Sequence, residues 1–349
     1  KESSAASDVY KRQIQMLNKI KIVKLNYALQ LICALVILIF VFVLSILLGE
    51  AHVNLSTIAA AIFHYDPSIQ AHNIISEIRI PRNIGAVLVG VALATAGAVI
   101  QGVTKNGLAD PSLIGLNAGA AFALAVTYAF FPSAPFTVLI LAGFIGAIFG
   151  GTIVMMIGSS RRDGFNPMRL ILAGAAVSAL LTALSQGIAL IYRLNQSINF
   201  WSAGGVSGTN WQQIMISAPI VLVVLALFIL ISRQLTILSL GETLATGLGQ
   251  NVKWIRTLAL VLSMLLAGIS VAMVGQIAFI GLIVPHIVRY LVGTDYIKVL
   301  PMAAVMGGTL VLLADLVARL LGEAPMSAII SFIGVPYFFY LIRKGGSTI

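Results

Sequence analysis

The stretch Ala28 to Leu48, ALQLICALVILIFVFVLSILL, decides the fold. It carries no charge over about 20 residues, and a helix of that length crosses the roughly 30 Å hydrocarbon core of a bilayer. The rest of the chain has the same character: 59% of its 349 residues are hydrophobic and 9% are charged, against about 25% charged in a globular domain. Such a chain cannot cover a water-facing surface with polar groups, which excludes a cytosolic enzyme, a disordered scaffold and a secreted disulfide module. The one cysteine, Cys33, lies inside the apolar run. It allows no internal disulfide or cysteine metal cage, and reads as a small core hydrophobe.

The net charge of +10 invites a nucleic-acid reading, and the placement of the charges argues against it. Lys11, Arg12, Lys19, Lys21 and Lys24 precede the first apolar run, while Arg343 and Lys344 follow the last. Basic flanks of this kind belong on the cytoplasmic side of a membrane. Residues 1–24 therefore read as a polar cytoplasmic tail, its first dozen residues disordered, and residues 25–349 as one all-α transmembrane domain with both termini cytoplasmic.

Uncharged runs alternating with charged or turn-rich breaks predict about ten spans. They are Ala28–Leu48, Asn83–Thr104, a hairpin between Asp110 and Arg161 broken at Pro132-Ser133-Ala134-Pro135, Leu170–Tyr192, Ile214–Ser232, a second hairpin between Arg256 and Arg289 with Gly275-Gln276 as its outer turn, Leu300–Val317 and Met326–Ile342. The polar Gly49–Arg82 stretch and the uncharged, Asn/Ser/Gly/Trp-rich Asn195–Gln213 segment fall outside. Of the 21 basic residues only Arg79, Arg82, Arg193 and Arg319 then lie outside, leaving 17 inside. One missed helix would reverse every later loop and erase that bias. Five spans per half give the halves opposite orientations, as in inverted-repeat transporters. Gly115/Gly119, Gly146/Gly150 and Ala92/Ala96 are small-residue spacings that let helices approach closely.

Chemistry-bearing residues are few. The chain has no Gly-x-x-x-x-Gly-Lys-Ser/Thr loop for nucleotide phosphates. His52, His64 and His72 lack metal-ligand spacing, so neither a metal nor a cofactor is expected. His286 follows Pro285, and its imidazole reads as a partner for a freed carbonyl. Asp315 is an acid within a span, which suggests an ion-coupled carrier working with His286; Arg319, four residues on, gives it a simpler reading as half of an ion pair. Arg79-Ile80-Pro81-Arg82 places two arginines outside around a proline that starts a helix. They read either as interfacial anchors or as a bidentate docking point for carboxylates of an extracellular partner. Leu235–Gln250, broken by Gly241, Gly247 and Gly249, reads as a short inner helix held for contact with a cytoplasmic protein.

Four stretches in order, Arg79–Gly119, Leu238–Gly249 (LSLGETLATGLG), Gly275–Gly293 (GQIAFIGLIVPHIVRYLVG) and Ala314–Arg319 (ADLVAR), resemble the FecCD-like permeases of ATP-binding-cassette importers for ferric siderophores, haem and vitamin B12. The resemblance implies the type II importer permease fold in the cell membrane and no enzymatic activity. It also implies a second permease copy or sister permease, two cytoplasmic ATP-binding subunits that hydrolyse the ATP, and an extracellular substrate-binding lipoprotein. The implied cargo is a ferric siderophore, with a hydroxamate type as one reading and haem or cobalamin as alternatives. By the same resemblance Arg79, Arg82 and Arg319 receive the binding protein's glutamates. Leu240, Gly241, Glu242, Ala245, Leu248 and Gly249 couple to the ATPase, and Leu108 and Pro167 stand at the cytoplasmic gate. The family commonly has Asn-Pro-Leu-Ala where this chain has Asn106-Gly107-Leu108-Ala109, and Pro167 replaces a small polar residue.

Overall fold

The computed structural model describes residues 26–49, 53–111, 115–158, 167–194, 201 and 203–343. Its elements, among the described residues, are helices without a strand: α1 (Tyr27–Leu47), a short α2 (Leu55–Phe63), α3 (Gln70–Thr104), α4 (Leu116–Phe130), α5 (Phe136–Gly158), α6 (Pro167–Ile191), α7 (Trp211–Leu230), the short α8 (Ser232–Leu240) and α9 (Glu242–Gly247), α10 (Val252–Val274), α11 (Ile280–Val292), α12 (Tyr296–Leu320) and α13 (Met326–Arg343). Setting the three short helices aside leaves ten apolar ones. Seven have the length and composition to cross a bilayer, while α4, α11 and α13 are shorter. The 1–24 tail, His52, the Arg161-Arg162-Asp163 loop and residues 195–200 lie outside the described residues.

Helix α3 is the axis of the bundle, packed by α10, α11 and α12 and buried along most of its length. Its small residues make this possible. A methyl group on Gly97 would collide with the Gly281 carbonyl at the start of α11, and one on Gly90 with the Gly307 carbonyl of α12. Backbone-to-backbone contact of this kind supplies dispersion energy where lipid removes the hydrophobic drive between helices. The predicted Gly115/Gly119 and Gly146/Gly150 spacings likewise meet each other at the α4–α5 crossing. Helices α4, α5 and α6 form one wall, with α10 between it and α3.

Three expectations are corrected. Pro81 does not start a helix: α3 begins at Gln70 and runs through the proline by widening into a π-helical segment over Ile74–Arg79. There Ile80 donates to the Ile75 carbonyl, so the next carbonyl, Ser76, would wait for the N–H that Pro81 lacks. Trp211 Nε1 donates to it instead (2.9 Å). The Gly275-Gln276 turn is not at the outer surface, because the chain after Trp201 folds down over it and Gly205 donates to the Val274 carbonyl (2.8 Å). Cys33 is exposed rather than in the core. Helix α1 is peripheral, with Ile32, Val36, Ile39 and Phe40 also exposed, so its apolar character serves lipid contact on most of its circumference.

Candidate docking, passage and coupling sites

Arg79 and Arg82, at the first turns of the membrane part of α3, meet the end of α12. Arg82 is held from two sides. Its Nη1 and Nη2 donate to the two oxygens of Glu323 (2.8 and 2.7 Å), and its Nε donates to Asp315 (3.0 Å). Asp315 is 1% exposed and also pairs with Arg319 Nε at 3.2 Å, the ion pair expected from the four-residue spacing. Arg319 further donates to Ser45 Oγ on α1, and Arg79 Nη1 donates to the Ile46 carbonyl (2.5 Å). Arg82 and Arg319 thus share Asp315, and Arg82 also holds Glu323. The three sequence-predicted arginines are brought together, though as a buried, internally paired cluster and not as free surface charges.

Sequence reading missed Glu323. The Arg82 hydrogen bond holds its carboxyl below the ordinary glutamate value. Its backbone has φ +60°, a left-handed conformation that a side-chain-bearing residue adopts at a cost. The available signal was position: an acid in the outer turn after α12, near the few arginines assigned to that side.

This cluster forms one wall of an open vestibule of about 620 Å³, whose other walls are Trp201, Tyr128, Met273 and the glycine-rich 204–208 segment. That segment contacts the α10–α11 turn through the Gly205 N–H bond to the Val274 carbonyl.

At the other end of α3, Lys105 turns the chain in a left-handed conformation, and its ammonium lies near Gly241. Helices α8 and α9 meet at Gly241, whose φ of +139° no other residue adopts readily. Two bonds pin them to the long helices, Tyr296 N–H donating to Thr236 Oγ1 (2.9 Å) and Arg256 pairing with Glu242, while Gln250 of the α9–α10 turn donates to the Gln234 carbonyl of α8 (3.1 Å). Leu240, Leu244 and Leu248 are exposed, Leu240 and Leu248 to 64%. Rigid apolar knobs on a polar face are suited to a protein partner. Ala245, unlike these leucines, is wholly buried and anchors α9 from beneath.

Leu108 packs half-buried against the cluster of Leu282 and Ile283 of α11 and Leu341 of α13, and its N–H donates to Asn106 Oδ1 (3.0 Å). Pro167 opens α6, and its side chain lies outside the described residues. His286 stands edge-on to Tyr337, at 6.1 Å between ring centres. His72 accepts a hydrogen bond from the Asp66 N–H (3.1 Å). Among the described residues no three His, Cys, Asp or Glu side chains group as metal ligands. A deeper network went unread in the sequence: Arg289 donates to Gln101 Oε1, Gln101 Nε2 donates to the Gly281 carbonyl (3.0 Å), and Tyr296 donates to the Ala98 carbonyl (2.8 Å). It ties α11 and α12 to the inner half of α3.

Ten apolar helices around polar cavities, with a charged cluster at one end and pinned short helices at the other, are the build of a multi-pass membrane transport permease. The chain belongs to the FecCD transport family, whose profile matches residues 37–344. It is 46% identical over 306 residues to the iron(3+)-hydroxamate import system permease protein FhuB of Bacillus subtilis (strain 168), covering 86% of this chain and 79% of that protein. It is 37% identical to the iron-uptake system permease protein FeuB of the same organism, covering 87% and 92%. Among solved structures, an inward-facing metal-chelate type ABC transporter superimposes with TM-score 0.79 at 30% identity, over 90% of this chain and 98% of that one.

Proposed function

We propose that this chain is the permease of an ATP-binding-cassette importer that carries a ferric hydroxamate chelate into the cell. A second permease, identical or sister, stands beside it. An extracellular binding protein delivers the chelate to the end of α3 that bears Arg79, and two cytoplasmic ATP-binding subunits seat on Leu240, Leu244 and Leu248. Both termini lie on the cytoplasmic side, as the charge bias requires. The observation that carries the reading is the polarity of α3, with the arginine cluster and open vestibule at one end and the pinned, leucine-studded α8–α9 pair at the other. The likeness to a hydroxamate permease supports the choice of cargo.

Because Arg82 is already occupied, docking is an exchange of carboxylates. The binding protein's glutamate displaces Glu323 from the Arg82 fork, while buried Asp315 stays in place. The arrangement disfavours an ion-coupled carrier that uses Asp315 and His286, since an acid held by two guanidiniums gives up its charge only at the cost of burying unpaired positive charge.

Reconstitution tests the function. Proteoliposomes with all partners and internal ATP should accumulate chelate, whereas the permease alone under a proton or sodium gradient should not. Uphill uptake by the permease alone would refute the proposal. For docking, Arg82→Gln should weaken capture of the binding protein while leaving the ATP-binding subunits attached. Unchanged capture removes Arg82 from that role.

A further inference from the structure

A second cavity, of about 390 Å³, has polar walls: Asn117 of α4, Ser178 and Thr182 of α6, Gln276 of the α10–α11 turn, and Ser327 and Ser331 of α13. None of its lining residues is charged. Ser327 donates to the Ala203 carbonyl. The other five side chains make no hydrogen bond within the described residues, not even the backbone bond that Ser263, Ser270 and Thr309 make to the preceding helical turn.

The cavity lies at membrane depth. Gly281, five residues beyond Gln276, packs on Gly97, about 22 Å along α3 from Arg82. Five uncommitted polar groups facing lipid are strongly disfavoured, so this wall faces water. It also adjoins the vestibule: Ala203 and Gly204 line the vestibule, while Ser327, which bonds Ala203, and Gln276, which packs on Gly204, line the chamber.

Building on the function proposed above, we infer that this chamber is a passage station for an uncharged, oxygen-rich metal chelate, held by hydrogen bonds from neutral side chains. Three hydroxamate anions cancel the charge of one ferric ion and leave a neutral shell of carbonyl and N–O oxygens. Serine, threonine and amide groups can donate to such a shell. With no charge in its walls, the station orients this cargo without trapping it, and it gives an anionic chelate no counter-charge.

The test uses the whole importer in proteoliposomes, with Cys33→Ser removing the one native thiol. Ser178→Cys, Thr182→Cys and Ser331→Cys, made singly, should react with a charged, membrane-impermeant methanethiosulfonate. Leu222→Cys, on the exposed face of α7, should not. Ferric trihydroxamate supplied during ATP turnover should slow the first three reactions; absence of labelling, or labelling the chelate does not slow, overturns the station. As a second measure, Ser178→Ala with Thr182→Val should lower neutral-chelate uptake about tenfold at unchanged binding-protein capture, and normal uptake overturns it equally. If the parent complex shows no ATP-driven uptake, the proposed function itself fails. If the parent transports normally and only the chamber results are negative, the station alone fails.

Discussion

Replacing Glu323 by Gln should tighten capture of the binding protein about tenfold. The side chain holds Arg82 through two short charge-assisted hydrogen bonds (2.8 and 2.7 Å). A bidentate pair of this kind is worth about 2 to 3 kcal/mol when desolvated. The Glu323 side chain is 53% exposed, and solvent screening together with its left-handed backbone reduces the net clamp to about 1.4 kcal/mol. At that strength the fork of Arg82 is open about one-tenth of the time, and a competing carboxylate sees its affinity reduced by the same factor. The glutamine keeps the shape of the turn and leaves Arg82 its Asp315 partner at 2.9 Å, so folding should survive. The assay is capture of the binding protein by the permease–ATPase complex in nanodiscs across a salt series. The variant should bind tighter, with a steeper salt dependence because its cluster carries one more positive charge. Equal or weaker binding at every salt concentration would refute the exchange.

The pH response of the same pair follows from the lowered Glu323 carboxyl. A depressed folded-state value means that the stabilisation is complete above the unfolded value and disappears as pH falls through the folded one. The melting difference between wild type and Glu323→Gln should therefore stay constant from neutrality to about pH 5 and close only below the usual glutamate range. Leu240→Glu with Leu248→Glu should detach the ATP-binding subunits, read by co-purification, while leaving the melting temperature nearly unchanged because both side chains are exposed. Gly97→Leu should cost about 3 kcal/mol or more and abolish membrane accumulation, because Gly281 is backbone on backbone and cannot retreat. Normal accumulation of that variant would mean that the α3–α11 contact is looser than described.

Span number and order were legible because length and charge placement act on every segment independently. That Gly119 and Gly146 serve close crossings was legible because such crossings need small residues at fixed spacing; that they meet each other was not. What stayed hidden depends on partners distant in sequence. Arg82 and Glu323 are 241 positions apart, and nothing local to either announces the fork. Pro81 looked like a helix start because the signal that lets the helix continue is the indole of Trp211, from another helix. Cys33 was misassigned for a related reason: an apolar residue in a membrane protein can face lipid or protein equally well, and only packing decides.

The two ends of the molecule are joined most directly by α12, a rod of about 37 Å. Its first residues hold Thr236 of α8, and its last turns hold Arg82 of α3. Displacing α8 cannot slide α12 along α3, because Gly90 and Gly307 lock the two backbones together. The load must pass instead to elements fastened to this pair less closely than backbone on backbone. Helix α13 is one of them, tied at its entrance by the Glu323 clamp to α3, by the Ala324 N–H bond to the Ala318 carbonyl of α12, and by the Ser327 bond to the Ala203 carbonyl of the neighbouring segment. In the proposed docking, an incoming carboxylate releases the first of these ties and leaves the Ser327–Ala203 bond between the vestibule and the polar chamber. Under the proposed function, docking above and force below therefore converge on the same helix.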